Sequence, residues 1–288
     1  MNWISAGFLM FGCSVAQYLL IRRSIVLKIP SQFTNFAMFI VPLVLYIGMA
    51  VSTQTDLSVS WYEFFILVIL AVFFSYMGNA ISLKSIEYAP NPGYSLVISK
   101  SYVVFTSIAS IFLFNSSLTI RSALAIILLV VCSAIISINK KGTVSPSHVR
   151  PIWLPLSIGA FFCWGMLALF SKYLLDIGVP IISRLVYVAA IVSVLNYADM
   201  KKENVSITRL SKENIVLFVA IGILCVGVNY YMQLGYAIAP NVGYVNAVNA
   251  ASIAFVSIGA SVFFHDEWNM RKFIGVIGVI AGLILLVL

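Results

Sequence analysis

The chain has 288 residues, of which 62% are hydrophobic and 9% are charged. A soluble domain carries about 25% charged residues, so this composition excludes a water-soluble fold and indicates a protein embedded in lipid. The net charge of +8 does not indicate a nucleic-acid partner, because the basic residues lie in short loops between apolar segments.

Ten apolar stretches approach or exceed the roughly 20 residues that a helix needs to cross a bilayer. In chain order they are 3–21, 33–51, 62–85, 92–114, 120–138, 152–175, 180–198, 215–238, 241–264 and 271–288. These runs are continuously apolar and lack the alternation of a membrane β-strand. The sequence therefore predicts an all-α integral membrane protein with ten transmembrane helices.

The two halves of the chain repeat each other, since residue n aligns with residue n+150 without a gap. Identical residues in this alignment include the pairs Trp3/Trp153, Phe11/Phe161, Cys13/Cys163, Pro30/Pro180, Glu63/Glu213, Asn79/Asn229 and Arg121/Arg271. Because five helices per repeat is an odd number, the second repeat must enter the membrane from the opposite side. We predict two inverted five-helix repeats, 1–138 and 151–288, joined by a linker at 139–150, which is an architecture typical of carriers.

The basic residues are concentrated in the loops on one side of the predicted bundle. That side carries Arg22, Arg23, Lys28, Lys84, Lys140, Lys141, Arg150, Lys201, Lys202, Arg209, Lys212, Arg271 and Lys272. The opposite side carries Arg121 and Lys172. The positive-inside rule then places the basic loops in the cytoplasm and both termini outside, in the inner membrane of a bacterial cell.

Lys100 is a charged residue inside predicted span 4, eight residues from its start, or about 12 Å along a helix axis. Charges at this depth cost about 2.5–3.5 kcal/mol on insertion scales and commonly serve a function. The alternative is a lysine that extends its side chain to the membrane surface. Its repeat equivalent is Ala250, so a packing role shared by both halves does not explain the charge.

Two asparagines on span 9 lie near the position equivalent to Lys100. If the faces of spans 4 and 9 meet, Lys100, Asn246 and Asn249 converge near the midplane and form a substrate pocket. The alternative for each asparagine is an interhelical hydrogen bond worth about 0.6–2 kcal/mol.

Other polar and aromatic residues are further candidates for binding substrate, namely Asn79, Asn229, Tyr94, Tyr244, Gln17 and Trp164. Asn79 and Asn229 are equivalent and could instead bond freed backbone near the loops. Tyr94 and Tyr244 lie at the starts of spans 4 and 9. Instead of binding substrate, they could anchor these helices at the membrane interface.

Acidic residues are missing from the predicted membrane interior, since Glu63, Glu87 and Glu213 lie at span ends. A buried lysine without an acidic partner loses its proton or binds an anion, which favours a substrate bearing carboxylate or phosphate. His148 and His265 lie in loops, and no paired-acid motif is present in or beside a span. We therefore expect no catalytic residue, metal or cofactor, and an intramembrane enzyme is a remote alternative.

Several segments resemble the drug/metabolite transporter superfamily of the EamA type. They are the stretches from Asn79 to Pro90 and from Asn229 to Pro240, the aromatic-Trp-Gly opening of the second half around Trp164, and the glycine-spaced last helix from Gly275. The resemblance implies transport of small metabolites, often amino acids, through a central cavity. Two features depart from it: span 9 lacks the family's proline, and family members usually keep their termini in the cytoplasm.

The sequence thus predicts an alternating-access transporter of a small metabolite, an amino acid or another solute bearing carboxylate or phosphate, with export favoured. A flippase for a lipid or polyprenyl phosphate is the alternative. The expected partners are the small-molecule substrate and the lipid bilayer, with no nucleic acid. Coupling to a proton or a counter-solute, and a monomeric or weakly dimeric state, stay open.

Overall fold

The computed structural model describes residues 1–90, 92–138, 150–205, 211–265 and 268–288. Within these ranges ten helices are long and apolar enough to cross a membrane, and we call them spans 1 to 10. They are Trp3–Val26, Ser31–Ser52, Trp61–Tyr88, Tyr94–Phe114, Ile120–Ser137, Trp153–Asp176, Ile181–Lys202, Lys212–Ile238, Val242–Phe264 and Met270–Val287. The all-helical fold predicted from the apolar runs is confirmed.

The backbone repeats its local conformation at the same offset as the sequence. Every residue of the described ranges with a positive φ belongs to a pair separated by 150 positions. The pairs are Lys28 and Gly178, Gln54 and Asn204, and Asn115 and His265. All of them lie at or just beyond the C-terminal ends of helices, where a left-handed residue satisfies the last carbonyls. Equivalent helices of the two halves therefore end in the same way.

Equivalent helices also pack against each other in opposite directions, as spans 4 and 9 show. Gly243 near the start of span 9 lies against Ser107 in the second half of span 4. Farther along span 9, Ala250 shares a crevice with Lys100, which precedes Ser107 in the chain. Lys100 and Ala250 are repeat equivalents, so spans 4 and 9 cross at the residues related by the repeat.

Spans 5 and 10 show the same antiparallel order, and the remaining helix contacts are consistent with the repeat. In spans 5 and 10, Gly278 contacts Cys132 whereas Gly282 contacts Leu129, which is an antiparallel order. Span 2 packs on span 7, span 1 on spans 8 and 9, and span 6 on spans 3 and 4. This is the relation that the predicted inversion requires. The domain boundaries stay a prediction, and residues 139–149 of the linker lie outside the described residues.

Two spans of the first half depart from a regular α-helix. Span 3 is α-helical over Trp61–Ile69, π-helical over Leu70–Met77 and α-helical again over Gly78–Tyr88. Span 4 consists of two helices, Pro92–Lys100 and Tyr102–Phe114, which are interrupted at Ser101. Irregular segments of this kind recur at the binding sites of membrane carriers.

Candidate functional site

The interruption of span 4 places Lys100 at the last position of the first helix. Ser99 and Ser101 donate side-chain hydrogen bonds to the carbonyls of Leu96 and Val97, at 3.2 and 2.7 Å. Such bonds to the preceding turn compete with the helical ladder and bend helices. The Ser-Lys-Ser sequence therefore explains why the helix breaks beside the charge.

Lys100 lines a small crevice between spans 4, 5 and 9. The crevice walls are mostly apolar, with two serines of span 5, and consist of Leu96, Val97, Lys100, Val130, Ser133, Ala134, Ser137, Ala250 and Ile253. The titratable groups that interact electrostatically with the Lys100 ammonium are the hydroxyls of Tyr18 and Tyr102. Within the described ranges no carboxylate forms an ion pair with Lys100.

Asn246 of span 9 links three spans through its side-chain amide. Its Oδ1 accepts a hydrogen bond from the Tyr236 hydroxyl of span 8 at 2.5 Å, and its Nδ2 donates to Thr106 Oγ1 of span 4 at 3.0 Å. Asn246 and Thr106 have no exposed surface and Tyr236 is 3% exposed. Both polar atoms of the amide therefore have partners inside the protein. This agrees with the alternative in which Asn246 forms interhelical hydrogen bonds.

Asn249 lies one turn farther along span 9 and joins the same interior. Its Oδ1 accepts from the Ser14 hydroxyl of span 1 at 3.1 Å, and its side chain is a hydrogen-bond partner of the Tyr102 hydroxyl. Because Tyr102 also interacts with Lys100, Asn249 and Lys100 share a neighbour. Spans 4 and 9 therefore meet here, with Tyr102 as the shared neighbour of the charge and the amide, and a substrate pocket at this point stays a prediction.

Two glutamines are also buried among the helices, and one of them has a polar atom that lacks a partner. Gln17 of span 1 is 4% exposed, and its side chain lies beside the Cys225 thiol of span 8. Gln233 of span 8 is 2% exposed, and its Oε1 has no hydrogen-bond partner in the described structure. Gln233 lies three residues before Tyr236 and so on the same helix face. Buried amide atoms without partners are costly and are common where water or a ligand binds.

The remaining candidates lie outside this polar interior. Tyr94 is 43% exposed, which fits an anchor at the membrane interface. Tyr244 is buried, stacks on Trp3 with ring centroids 5.7 Å apart, and donates to the Ser117 carbonyl at 3.0 Å. Trp164 packs against the largest hydrophobic cluster. These contacts stabilise helix packing and loop position.

The paired asparagines differ in their contacts. Asn229 donates from Nδ2 to the carbonyl of Cys225 in its own helix at 2.9 Å. It lies nine residues before the end of span 8, so this carbonyl belongs to the helix and not to freed backbone near the loop. Asn79 follows the π-helical segment of span 3 and is half-buried.

Arg184 is a candidate that the analysis of the sequence did not single out. It is the fourth residue of span 7 and 3% exposed. Its Nη2 donates to Ser171 Oγ of span 6 at 2.5 Å, and its charge interacts with the hydroxyls of Tyr46 and Tyr236. In the sequence Arg184 is a single arginine within an otherwise apolar run. It lies near the start of that run, where a charged residue is commonly exposed at the membrane surface.

We predict that Asn246→Ala raises the apparent KM for transport. The variant removes an acceptor from Tyr236 and a donor from Thr106, and a buried group left unsatisfied costs about 1–3 kcal/mol. The freed Tyr236 hydroxyl would change the polar interior where we expect the solute to bind. The measurement is uptake kinetics in proteoliposomes, and unchanged kinetics would assign Asn246 to packing.

Comparisons with known proteins agree with this architecture. The model of the EamA-like transporter family matches residues 151–288. A crystal structure described only as "Crystal structure of protein" is similar with a TM-score of 0.76 and 13% sequence identity, over 98% of this chain and 97% of that chain. At this identity the likeness shows the fold. No curated protein matches the sequence.

Proposed function

We propose that this chain, whose residues 151–288 match the EamA-like transporter family, carries a small solute bearing a carboxylate or phosphate by alternating access. The match to a family of transporters, together with ten helices long and apolar enough to cross a membrane, supports a membrane transporter of small solutes. The nature of the solute is our inference, and so is export as its direction.

One observation carries the inference about the solute. Lys100 lies where span 4 is interrupted and where spans 4 and 9 cross, and no described carboxylate pairs with it. A cation inside the membrane without a counter-charge is costly and is stabilised by an anionic ligand. The surrounding amides and hydroxyls, on Asn246, Asn249 and Tyr102, are suited to orient such a ligand.

Binding to the purified full chain tests the proposal directly. We expect a thermal-shift screen to find stabilisation by carboxylates or phosphates, and none by choline-like cations. A ligand that binds only the folded state stabilises it by about 2.7 kcal/mol at a concentration 100 times its Kd. Stabilisation by cations alone, with none by anions, would contradict the proposal.

A second candidate is a carrier of lipid or polyprenyl phosphates. The crevice beside Lys100 favours it, because its walls are mostly apolar side chains of spans 4, 5 and 9. An acyl chain could lie along such walls while the phosphate reaches the ammonium. Stabilisation by long-chain phosphates, with none by their water-soluble headgroups, would favour this candidate over the first.

The orientation in the membrane is a separate prediction. The basic loops include Lys84, Arg150, Lys201 and Lys202, and the positive-inside rule places them in the cytoplasm with both termini outside. We expect a C-terminal alkaline phosphatase fusion to be active and a C-terminal green fluorescent protein fusion to be dark. The opposite pattern would show that this chain keeps its termini inside, as its relatives usually do.

A further inference from the structure

The crevice beside Lys100 is bounded on one side by the last two turns of span 5. Ser133, Ala134 and Ser137 line it, and their spacing places them on one face of the helix. The repeat equivalents of these three residues in span 10 are all larger and aliphatic, namely Leu283, Ile284 and Val287. The crevice therefore lies where span 5 has small and partly polar side chains in place of large apolar ones.

Ser133 brings a hydroxyl without a partner to this crevice. The residue is 5% exposed, and its Oγ is buried and forms no hydrogen bond within the described residues. Ser137 differs, because its hydroxyl donates to the Ser133 carbonyl at 2.8 Å. A buried hydroxyl without a partner is costly and is common where water or a ligand binds. Ser133 thus keeps a donor that helix packing does not use.

The amides near Lys100 are less available than Ser133. Asn246 uses both polar atoms of its side chain in hydrogen bonds between helices, and Asn249 accepts from Ser14 at 3.1 Å. Neither asparagine lines the crevice, whereas Ser133 and Lys100 both do. A ligand that reaches the ammonium through the crevice therefore meets the unused hydroxyl of Ser133.

We propose that this crevice receives the anionic end of the solute, which binds both the Lys100 ammonium and the Ser133 hydroxyl. The inference rests on the proposed transport function and narrows its substrate class. Apart from Ser137, the rest of the lining is apolar and contains no acidic residue. An ammonium next to the anionic end would lie beside Lys100, where like charges repel and no described carboxylate can pair with it. The cargo is therefore an organic acid or phosphate ester without such an ammonium, and not an α-amino acid.

The substrate class is tested with pairs of ligands that differ by one amino group. The purified full chain is titrated in thermal-shift assays with carboxylates of three to eight carbons and with their 2-amino counterparts, such as butyrate and 2-aminobutyrate. Ethyl phosphate is compared with phosphoethanolamine. In each pair that binds, the compound without the ammonium is expected to bind about tenfold or more tightly. A smaller difference, or the opposite preference, overturns the substrate class.

A lipid could supply the same phosphate group. Phosphatidic acid in detergent is therefore titrated beside ethyl phosphate, and binding of either one supports the site because the crevice recognises the group that they share. Binding of neither phosphate nor carboxylate overturns it.

Variants of Ser133 test the site itself. Ser133→Ala is expected to weaken binding of the tightest ligand of the series about tenfold, because a hydrogen bond to a charged group is lost. Ser133→Thr keeps the hydroxyl and is expected to retain binding. Without ligand, the Tm of Ser133→Ala should stay the same or rise, since the variant removes an unbonded buried hydroxyl. A purely structural serine would instead lower this Tm and leave the affinity unchanged, which would overturn the inference.

Ser193→Ala is the matched control. Ser193 of span 7 is 4% exposed and its hydroxyl has no partner in the described structure, but it does not line the crevice. This control should bind the ligand normally. A loss of affinity in Ser193→Ala as large as in Ser133→Ala would overturn the assignment of Ser133 to the site.

The outcomes separate this inference from the proposed function. Binding of small anions that depends on Lys100 but not on Ser133 leaves the transporter of small anions in place and removes the crevice as its site. Preferred binding of amino acids removes the narrower substrate class alone. Failure of every anion to bind, together with binding of cations, removes both the inference and the proposed function.

Discussion

Replacing Lys100 with alanine is expected to abolish transport without reducing the amount of folded protein. The alanine matches Ala250, the repeat equivalent, and fits a crevice that already contains small side chains. Losing one partner of a buried charge pair costs about 2–5 kcal/mol, which corresponds to a loss of about 30-fold or more in kcat/KM. Uptake of the solute found by the binding screen, in proteoliposomes containing the Lys100→Ala variant, is the measurement.

Lys84→Ala is the matched control, since Lys84 is exposed on span 3. This control should transport at the normal rate, because a lysine in contact with water contributes little to an interior site. Lys100→Arg keeps the charge but enlarges the head group, so we expect partial activity. Normal uptake by Lys100→Ala would remove Lys100 from the site.

The number of the helices was predictable from the sequence because it depends on one-dimensional signals. Apolar runs of sufficient length give the spans, and the offset of 150 residues gives the equivalence of the halves. The antiparallel crossing of spans 4 and 9 follows from that equivalence together with an odd number of helices per repeat. The break at Ser101 was not predicted, because a single lysine between two serines gives a weak signal against a strongly apolar span.

The site was predictable only in part. Lys100, Asn246 and Asn249 were identified because a charge or an amide inside an apolar run is rare and can be placed by helical periodicity. Tyr102 and Tyr236 were not, because tyrosines are common in membrane helices and their roles depend on which spans approach each other. Hydrogen bonds from Tyr236 to Asn246, and interactions from Tyr102 to Lys100, depend on tertiary packing that periodicity does not encode.

Conversely, repetition of a residue in both halves did not indicate a functional role. Asn79 and Asn229 are equivalent, yet the Asn229 side chain bonds a carbonyl of its own helix. The polar interior is instead asymmetric: Lys100 faces Ala250, and Arg184 has Thr34 as its equivalent. We expect residues shared by the halves to maintain the common helix packing, and charges present in one half alone to contribute to the selection of the solute.

Gly243→Ala is expected to destabilise the protein more than any other exchange of glycine for alanine at the crossing of spans 4 and 9. A Cβ at this position would lie 1.8 Å from Ser107 Oγ and 2.8 Å from Ser107 Cα. Rotation of the serine removes the first clash but not the second, which involves the backbone. The Asn241 side chain donates to the Ser107 carbonyl at 3.1 Å and fixes the register, so the helices cannot slide apart freely. Overpacking of this kind costs about 1–3 kcal/mol.

The measurement is the Tm of the purified variant in detergent, with Gly48→Ala as the matched control. Gly48 lies in span 2, where an added Cβ would meet nothing within 4 Å. Alanine is the better helix former by about 1 kcal/mol, so the control should keep or raise the Tm while Gly243→Ala lowers it. Because the clash separates span 9 from span 4 a few turns from Lys100, transport should fall together with the Tm. An unchanged Tm in Gly243→Ala would mean that spans 4 and 9 do not meet at Ser107, and the convergence of Lys100 with Asn249 would then lose its structural basis.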